Sequence, residues 1–370
     1  MTTTQTADAP LARLVDAVRA AAADHERLEL RGGGTKAFYG ETPRGRPLDT
    51  GPLAGIVSHE PSELVVTVRA GTPLAELEAA LAERGQYLPF EPPRFAPGGT
   101  VGGMVASGLS GPARAASGSV RDHLLGATIL DGRAGIQRFG GRVIKNVAGF
   151  DVARLFAGSW GTLGVLLEVS LKVLGSPVAS ETCLLDVDEE RARALLAGWR
   201  ARPWPLTASA WHADRLSLRF AGARAAVDAA VAAVAACGGR RLEPDAALRW
   251  WTSLRDQTLP FFRLDAAALA AGEALWRLSV PPTAALAEQG GVRLFEWGGA
   301  LLWRRGPAEA ATIRAAAAAA GGHATLVRAA DKRCGAQAPL LPAIAAIHRR
   351  LKQAFDPHGI FDPGRLHPGG

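Results

Sequence analysis

The chain has 370 residues, 48% of them hydrophobic and 21% charged, which is enough for two or three domains with separate cores. Its most apolar stretch, residues 163–174, is interrupted by Glu168 and Lys172 and is too short for a membrane-spanning helix. The net charge of +7 comes from scattered arginines and five lysines (Lys36, Lys145, Lys172, Lys332 and Lys352), so no basic element is clustered for nucleic acid.

The N-terminus has no basic segment followed by an apolar run, so no signal peptide is expected. Residues 11–23 instead predict a helix, with Leu11, Leu14, Val15 and Val18 on one face. A short strand at 27–30 runs directly into RGGGTK (31–36). Residues 64–69, LVVTVR, read as a β-branched strand. Thr72 and Pro73 then resemble an N-cap and first helical position, Leu74, Leu77 and Leu81 give the apolar face, and Gly85 ends the helix. A proline-rich connection, 89–97, leads to a second glycine-rich loop, PGGTVGGMVASG (97–108). A strand is expected at 124–130, and residues 158–174 turn through glycines before alternating as a strand. The first domain boundary is placed near residue 175.

The remainder predicts β-α-β-β-α-β over residues 182–242: strands at 182–187, 207–211, 216–220 and 240–242, and helices at 189–199 and 223–237. The same order recurs over 275–328, with strands at 275–280, 293–297, 300–304 and 324–328 and helices at 283–289 and 308–320. Two such ferredoxin-like units could share one antiparallel sheet with helices on one face. A last helix, 344–355, precedes the tail FDPHGIFDPGRLHPGG. The expected fold class is α+β, in three parts: 1–175 a cofactor domain, 176–340 an α+β cap or substrate lobe, and 341–370 a helix and tail returning to the first domain.

Three segments carry chemistry. A glycine run directly after a strand can turn successive backbone N–H groups into an anion-binding nest. Gly32, Gly33 and Gly34 offer one such run, and Gly98, Gly99, Gly102, Gly103 and Gly108 a second, with the Thr100 hydroxyl as a further donor. Two separated loops suit a pyrophosphate held from both sides. Neither is a P-loop, and no G-x-G-x-x-G opens a helix, so a nicotinamide-binding Rossmann domain is disfavoured. In the third segment, residues 142–173, Gly158, Gly161 and Gly164 let backbone approach a flat ligand, and Lys145 and Asp151 stand out as charges in an apolar stretch.

Together these segments resemble the FAD-binding domain of the vanillyl-alcohol-oxidase family, also called the PCMH-type domain. RGGGTK is similar to its first pyrophosphate loop, PGGTVGGMVASGLSG to its second, and GSVRDHLLG (118–126) to the segment that follows. The segment VIKNVAGFDVARLFAGSWGTLGVLLEVSLKVL is similar to the one that lines the flavin. The tail resembles the D-lactate dehydrogenase and glycolate oxidase branch, and the short second lobe looks most like that branch's smaller flavin subunits. The resemblance implies a PCMH-type domain of two α/β subdomains and a bound FAD. It implies cofactor contacts by Arg31, Gly32, Gly33, Gly34, Thr35 and Lys36 on one side. Pro97, Gly98, Gly99, Thr100, Val101, Gly102, Gly103 and Ser107 would contact the other. Gly118, Ser119, Asp122, Lys145, Gly149, Asp151, Gly161, Thr162, Gly164 and Val165 complete the implied set.

The sequence departs from the family in two places. Covalent members carry a histidine just after the first loop, where Lys36 and Ala37 stand here, so dissociable FAD is expected. Hydroxy-acid dehydrogenases of the branch carry closely spaced histidines in the second lobe. The eight here (25, 59, 123, 212, 323, 348, 358, 367) include no H-x-H and no i, i+4 pair, so no metal site is expected and His212 stands alone. The catalytic base and carboxylate clamp are not identifiable; Arg304, Arg333 and His367 are the candidates. Cys183, Cys237 and Cys334 lie far apart, which argues against disulfides, zinc or an iron–sulfur cluster and fits a reducing cytoplasm.

The expected role is the FAD-binding subunit of a 2-hydroxy-acid oxidase complex. It would act beside a larger flavin subunit and an iron–sulfur subunit, at most peripheral to the membrane. A self-sufficient FAD-linked dehydrogenase, or an assembly subunit whose flavin does not cycle, are the alternatives.

Overall fold

The computed structural model describes residues 8–141, 150–284, 290–307, 309–362 and 364–367. Helix α1 (Ala9–Asp24) buries Leu14, Val18 and Ala21, spaced at four and three residues. It packs in one cluster with Leu28, Leu48, Leu130, Leu167 and Phe361. Strands β1 (Leu28–Arg31) and β2 (Arg46–Asp49) pair in parallel as a small sheet. The C-terminal tail joins its edge: Leu28 N–H donates to the Ile360 carbonyl at 2.7 Å, and Asp362 N–H to the Leu28 carbonyl at 2.9 Å.

A five-stranded antiparallel sheet follows, from β3 (Ile56–Glu60) and β4 (Val65–Arg69) on one side to β6 (Leu124–Leu130) and β7 (Ile136–Gly140) on the other, with β8 (Val165–Lys172) central. The short β5 (Gln86–Tyr87) pairs instead with β9 (Leu174–Gly175). Helices α2 (Leu74–Ala82) and α3 (Val101–Ser107) bury their apolar residues against this sheet, and two short helices, α4 (Arg114–Ser117) and α5 (Val120–His123), follow.

The remainder forms one eight-stranded antiparallel sheet. Its first unit is β10 (Ala179–Asp186), α6 (Glu189–Trp199), β11 (Leu206–His212), β12 (Arg215–Gly222), α7 (Arg224–Ala235) and β13 (Arg240–Leu242). Its second contains β14 (Ala274–Ser279), β15 (Val292–Glu296), β16 (Leu301–Gly306), α10 (Ala310–Ala319) and β17 (His323–Arg328), after α8 (Pro244–Arg255) and α9 (Ala266–Ala270). The order β13-β10-β12-β11-β15-β16-β14-β17 is two ferredoxin-like units, 4-1-3-2 and its mirror-ordered copy, fused at their second strands. The fusion pairs Ala210 with Glu296, Trp211 with Phe295 and His212 with Leu294. Helix α11 (Pro342–Phe355) leads into the tail.

Four readings need correction or limit. Thr72 does not cap α2; its Oγ1 accepts from Gly55 N–H at 2.9 Å and donates to the Arg69 carbonyl at 2.7 Å, and the helix starts at Leu74. The second glycine loop ends at Thr100, which caps α3 by accepting from Gly103 N–H at 3.2 Å, so Val101, Gly102, Gly103 and Ser107 are helical. The large sheet is covered on both faces. Helices α6, α7 and α10 pack on one, and α8, Tyr39, Phe38, Phe95 and Trp160 on the other, because the strands carry large apolar groups both ways. Helix 283–289 lies mostly outside the described residues.

Candidate functional site

A cleft with about 880 Å³ of space, part of it open to solvent, runs along the first glycine loop. Strand β1 ends into Gly32, Gly33 and Gly34, which line it with Arg31, Thr35 and Lys36. Thr100, Gly102, Gly103, Ala106 and Ser107 supply the α3 side, and Gly161, Gly164, Val165 and Leu166 the floor at the start of β8. The tail contributes Asp362 and Arg365.

The two glycine loops are packed on each other. An added Cβ on Gly33 would lie 1.6 Å from the Gly98 carbonyl oxygen, and one on Gly32 would lie 2.3 Å from Thr100 Oγ1. Gly102 likewise has no room, with Ala70 Cβ at 2.8 Å, and its N–H donates to the Ala70 carbonyl at 2.7 Å. Gly32 and Gly33 are therefore required by the packing of the two loops, and Gly102 by the close approach of α3 to Ala70. Gly34 is different: it has φ +67° and an added Cβ would meet nothing, so its bare backbone faces the cleft.

Three basic side chains, Arg31, Lys36 and Arg365, and two carboxylates, Glu29 and Asp362, line the cleft. Lys36 is buried, and its ammonium lies 5.7 Å from the Phe95 ring centre. Burial lowers its pKa to about 8, with the Asp256 carboxylate opposing that shift. Arg31 forms an ion pair with Glu29 at 2.8 Å. Arg365 is buried, and its guanidinium donates to the Ala37 carbonyl at 3.1 Å and also to the Glu41 carbonyl. Its guanidinium carbon lies 5.5 Å from the Trp160 ring centre. Lys332, from the loop after β17, donates to the Phe38 carbonyl at 2.6 Å, so residues 36–41 are clamped from the tail and from the second lobe.

Asp362 is the buried anion of the site. Its Oδ2 accepts from Leu30 N–H at 2.9 Å, yet burial raises its pKa to about 6. The folded pKa is above the unfolded one, so this carboxyl stabilises the fold only while protonated. Its contribution is lost as pH rises from about 4 through about 6. Asp362→Asn keeps the acceptor for Leu30 and removes the ionisation. The cofactor-free variant is expected to be more stable than wild type at pH 8 by about 2–3 kcal/mol, with little difference at pH 4. Thermal melts at the two pH values check this; a variant less stable at pH 8 would show that the carboxylate is held favourably.

The remaining sequence candidates fall elsewhere. Pro97, Gly98, Gly99 and Val101 lie beside the cleft-lining residues but are not among them. Ser119 and Asp122 form a capping box on α5, with Ser119 N–H donating to Asp122 Oδ2 at 2.8 Å, and Gly118 precedes it. That hydrogen bond lowers the Asp122 pKa. Asp151 pairs with Arg154 at 2.7 Å, and Thr162 Oγ1 donates to the Ser159 carbonyl at 2.7 Å. Lys145 and Gly149 lie outside the described residues. Arg304 donates to the carbonyls of Gly306 and Pro307, Arg333 is an exposed partner of Asp331, and His367 packs against His348. His212 Nδ1 donates to the Arg293 carbonyl at 3.2 Å, and its ring packs on Phe261. None of these four lines the cleft. Trp160, Asp362 and Arg365 were missed as cleft residues; the FDPGRL tail was the available signal for the last two.

Among the described residues no group of His, Cys, Asp and Glu could hold a metal ion, and no helix is long and apolar enough to cross a membrane. The family described as "FAD binding domain" matches residues 11–140. The chain is 42% identical over 354 residues to the glycolate oxidase subunit GlcE of Escherichia coli, covering 96% of each protein. It is 31% identical over 156 residues to the glycolate oxidase subunit GlcD of Bacillus subtilis, covering 42% of this chain and 33% of that one. It is 30% identical over 148 residues to a mitochondrial D-lactate dehydrogenase of Arabidopsis thaliana, covering 39% and 26%. A solved alkyldihydroxyacetonephosphate synthase shares the fold, with a TM-score of 0.64 and 16% identity over 95% of this chain and 75% of that one.

Proposed function

The chain belongs to the family of the glycolate oxidase subunit GlcE, and from that membership we propose that it is the FAD-binding subunit of a glycolate-oxidase-type complex. The observation that carries this reading is the coincidence of a match over 96% of the chain with a cleft built from two interlocked glycine loops and lined by Arg31, Lys36 and Arg365. The donor set fits FAD. The bare Gly34 backbone, the Thr35 and Thr100 hydroxyls, and Lys36 and Arg365 are the groups a pyrophosphate takes. Gly161, Gly164 and Val165 form an apolar floor for a flat ring. FAD, when bound, supplies a two-electron acceptor able to pass electrons on singly. The residues of this chain bind and orient it, and Trp160 with Tyr39, stacked at 5.4 Å, closes one end against water.

Retention of FAD is non-covalent in this reading, because Lys36 and Ala37 stand at the position of the linking histidine. The hydroxy acid is oxidised within the complex, beside a larger flavin subunit of the GlcD kind. Onward transfer falls to an iron–sulfur subunit, since the three cysteines of this chain cannot ligate a cluster. The complex is placed in the cytoplasm, peripheral to the membrane face. An anaerobic visible spectrum of the purified chain, before and after denaturation and filtration, tests the cofactor claim. A flavin spectrum that passes wholly into the filtrate is expected; a yellow, unfolded chain would overturn dissociable binding, and a colourless chain that FAD cannot reconstitute would overturn the whole reading.

A further inference from the structure

Helix α11 is tied to the rest of the fold through its second half. Lys352 Nζ donates to the Thr162 and Phe361 carbonyls at 2.8 and 2.6 Å, and the Arg133 guanidinium donates to the Ala354 carbonyl at 2.9 Å. The Phe355 ring packs edge-on against Phe139 and Phe156, and His348 meets His367 of the tail. All of these contacts lie at or after His348. No residue of α11 is buried. Its first half carries apolar side chains out into solvent: Leu341 is 73% exposed, Ile344 42% and Ile347 52%. Three of the ten exposed large hydrophobic side chains among the described residues thus fall within seven positions.

Ile344 and Ile347 share one stripe of the helix, which Leu351 and Phe355 continue at a spacing of four residues. At its C-terminal end the stripe enters the core through Phe355. At its N-terminal end it is open to solvent. Basic side chains accompany it. Arg349 and Arg350 are exposed, and neither makes a side-chain hydrogen bond or ion pair among the described residues. Residues 332–355 contain no Asp or Glu, so no carboxylate of this segment offsets them. The ion pair of Arg333 with Asp331, at 2.6 Å, lies just before this run. Lys352 turns inward to the 2.7 Å contact with Asp356.

An uncovered apolar stripe beside unpaired arginines is complementary to an anionic surface that also accepts hydrocarbon. A lipid surface suits it better than a protein. The uncovered stripe is two turns of one helix, and residues 338–350 contain no Trp, Tyr, Phe or Met, the side chains that anchor protein interfaces. A bilayer needs no anchor of that kind: each aliphatic side chain enters the headgroup boundary by itself, and guanidinium groups pair with lipid phosphates. We propose that α11 seats the protein on an anionic membrane, with Leu341, Ile344 and Ile347 in the acyl boundary and Arg349 and Arg350 on the phosphates. The surface is argued from α11 alone and is independent of the cofactor; it rests on, and deepens, the reading of the complex as peripheral to the membrane. Because α11 leads into the tail that carries Asp362 and Arg365, seating it sets how the cleft is turned relative to the bilayer.

The test is flotation of the purified full chain with vesicles of equimolar phosphatidylcholine and phosphatidylglycerol, and with vesicles of phosphatidylcholine alone. Flavin content is read separately from the visible spectrum. Binding to the anionic vesicles is expected, roughly 10-fold or more above the neutral ones and falling as salt is raised. Ile344→Ser with Ile347→Ser should weaken it roughly 10-fold, and Arg349→Gln with Arg350→Gln roughly 10- to 30-fold. Flavin content and melting temperature should not change, because all four side chains are exposed. A wild-type chain that does not float with the anionic vesicles, or an isoleucine double variant that floats as wild type does, overturns the proposal. If the wild type ignores vesicles and the variants fail to assemble with the other subunits, the lipid assignment is overturned and the face is a protein interface. A flavin-loaded chain that does not float leaves the cofactor reading intact, whereas a chain that floats but cannot hold FAD supports the surface and counts against that reading.

Discussion

Gly33→Ala is expected to leave a chain that folds but retains FAD at least about 100-fold more weakly. The reason is local. The new methyl would sit 1.6 Å from the Gly98 carbonyl oxygen, a contact between two backbones with no flexible side chain to yield. The first and second glycine loops must then separate by an ångström or more, and a diphosphate site depends on donors fixed to within a fraction of that distance. Gly32→Ala meets Thr100 Oγ1 at 2.3 Å, a side chain that can rotate at the cost of its α3 cap, about 1 kcal/mol. Gly99→Ala meets nothing closer than 3.4 Å. The expected order of flavin loss is therefore Gly33, then Gly32, then Gly99. Flavin absorbance per chain after gel filtration, with circular dichroism as the folding control, reads the series. If Gly99→Ala loses most flavin, the contact between the loops is not what holds the site.

Lys352→Met should destabilise the chain by about 3–5 kcal/mol. Asp356 is 2% exposed and sits in a setting built around one ammonium. Lys352 Nζ donates to Asp356 Oδ2 at 2.7 Å, to the Thr162 carbonyl at 2.8 Å and to the Phe361 carbonyl at 2.6 Å. Asp356 also accepts from the N–H groups of Ile360 and Phe361, at 3.1 and 2.8 Å. This pair pins α11 to the turn before β8 and shapes the tail that carries Asp362 and Arg365 into the cleft. Removing the cation strands a buried carboxylate, which is the costly way to break such a pair. Lys352→Met with Asp356→Asn removes the stranded charge and keeps most acceptors, so the double variant should recover about half of the loss. Urea unfolding of the wild type and the two variants measures this; a single variant that loses less than about 1 kcal/mol would show that the pair is solvated.

The strands of the large sheet and their order as two ferredoxin-like units follow from short-range pattern. β-branched and aromatic runs of the right length alternate with alanine-rich helices of period 3.6, and antiparallel pairing between near neighbours does the rest. Elements with weaker patterns were not legible. Strands β2 and β7 are short and mostly exposed, and α8 shows two adjacent tryptophans, Trp250 and Trp251, where period alone gives no clear face.

The sequence by itself determined the family and the cofactor class, because runs of glycine at fixed spacing stay visible in the sequence, although most of the second run proved to be helix α3. It did not reveal that Gly32 and Gly33 serve the contact between the loops, while Gly34 presents backbone to the cleft. It did not bring Trp160, Asp362 and Arg365 to the same cleft, or stack Tyr39 on Trp160. Those groups lie up to about three hundred residues apart, and their functional character comes from burial and from neighbours across the fold. Tertiary packing alone decides that burial pushes Lys36 and Lys332 down to about 8 and Asp362 up to about 6, and which tyrosine hydroxyl is left without a partner. Desolvation and close approach are properties of the folded volume, and no local run of residues encodes them.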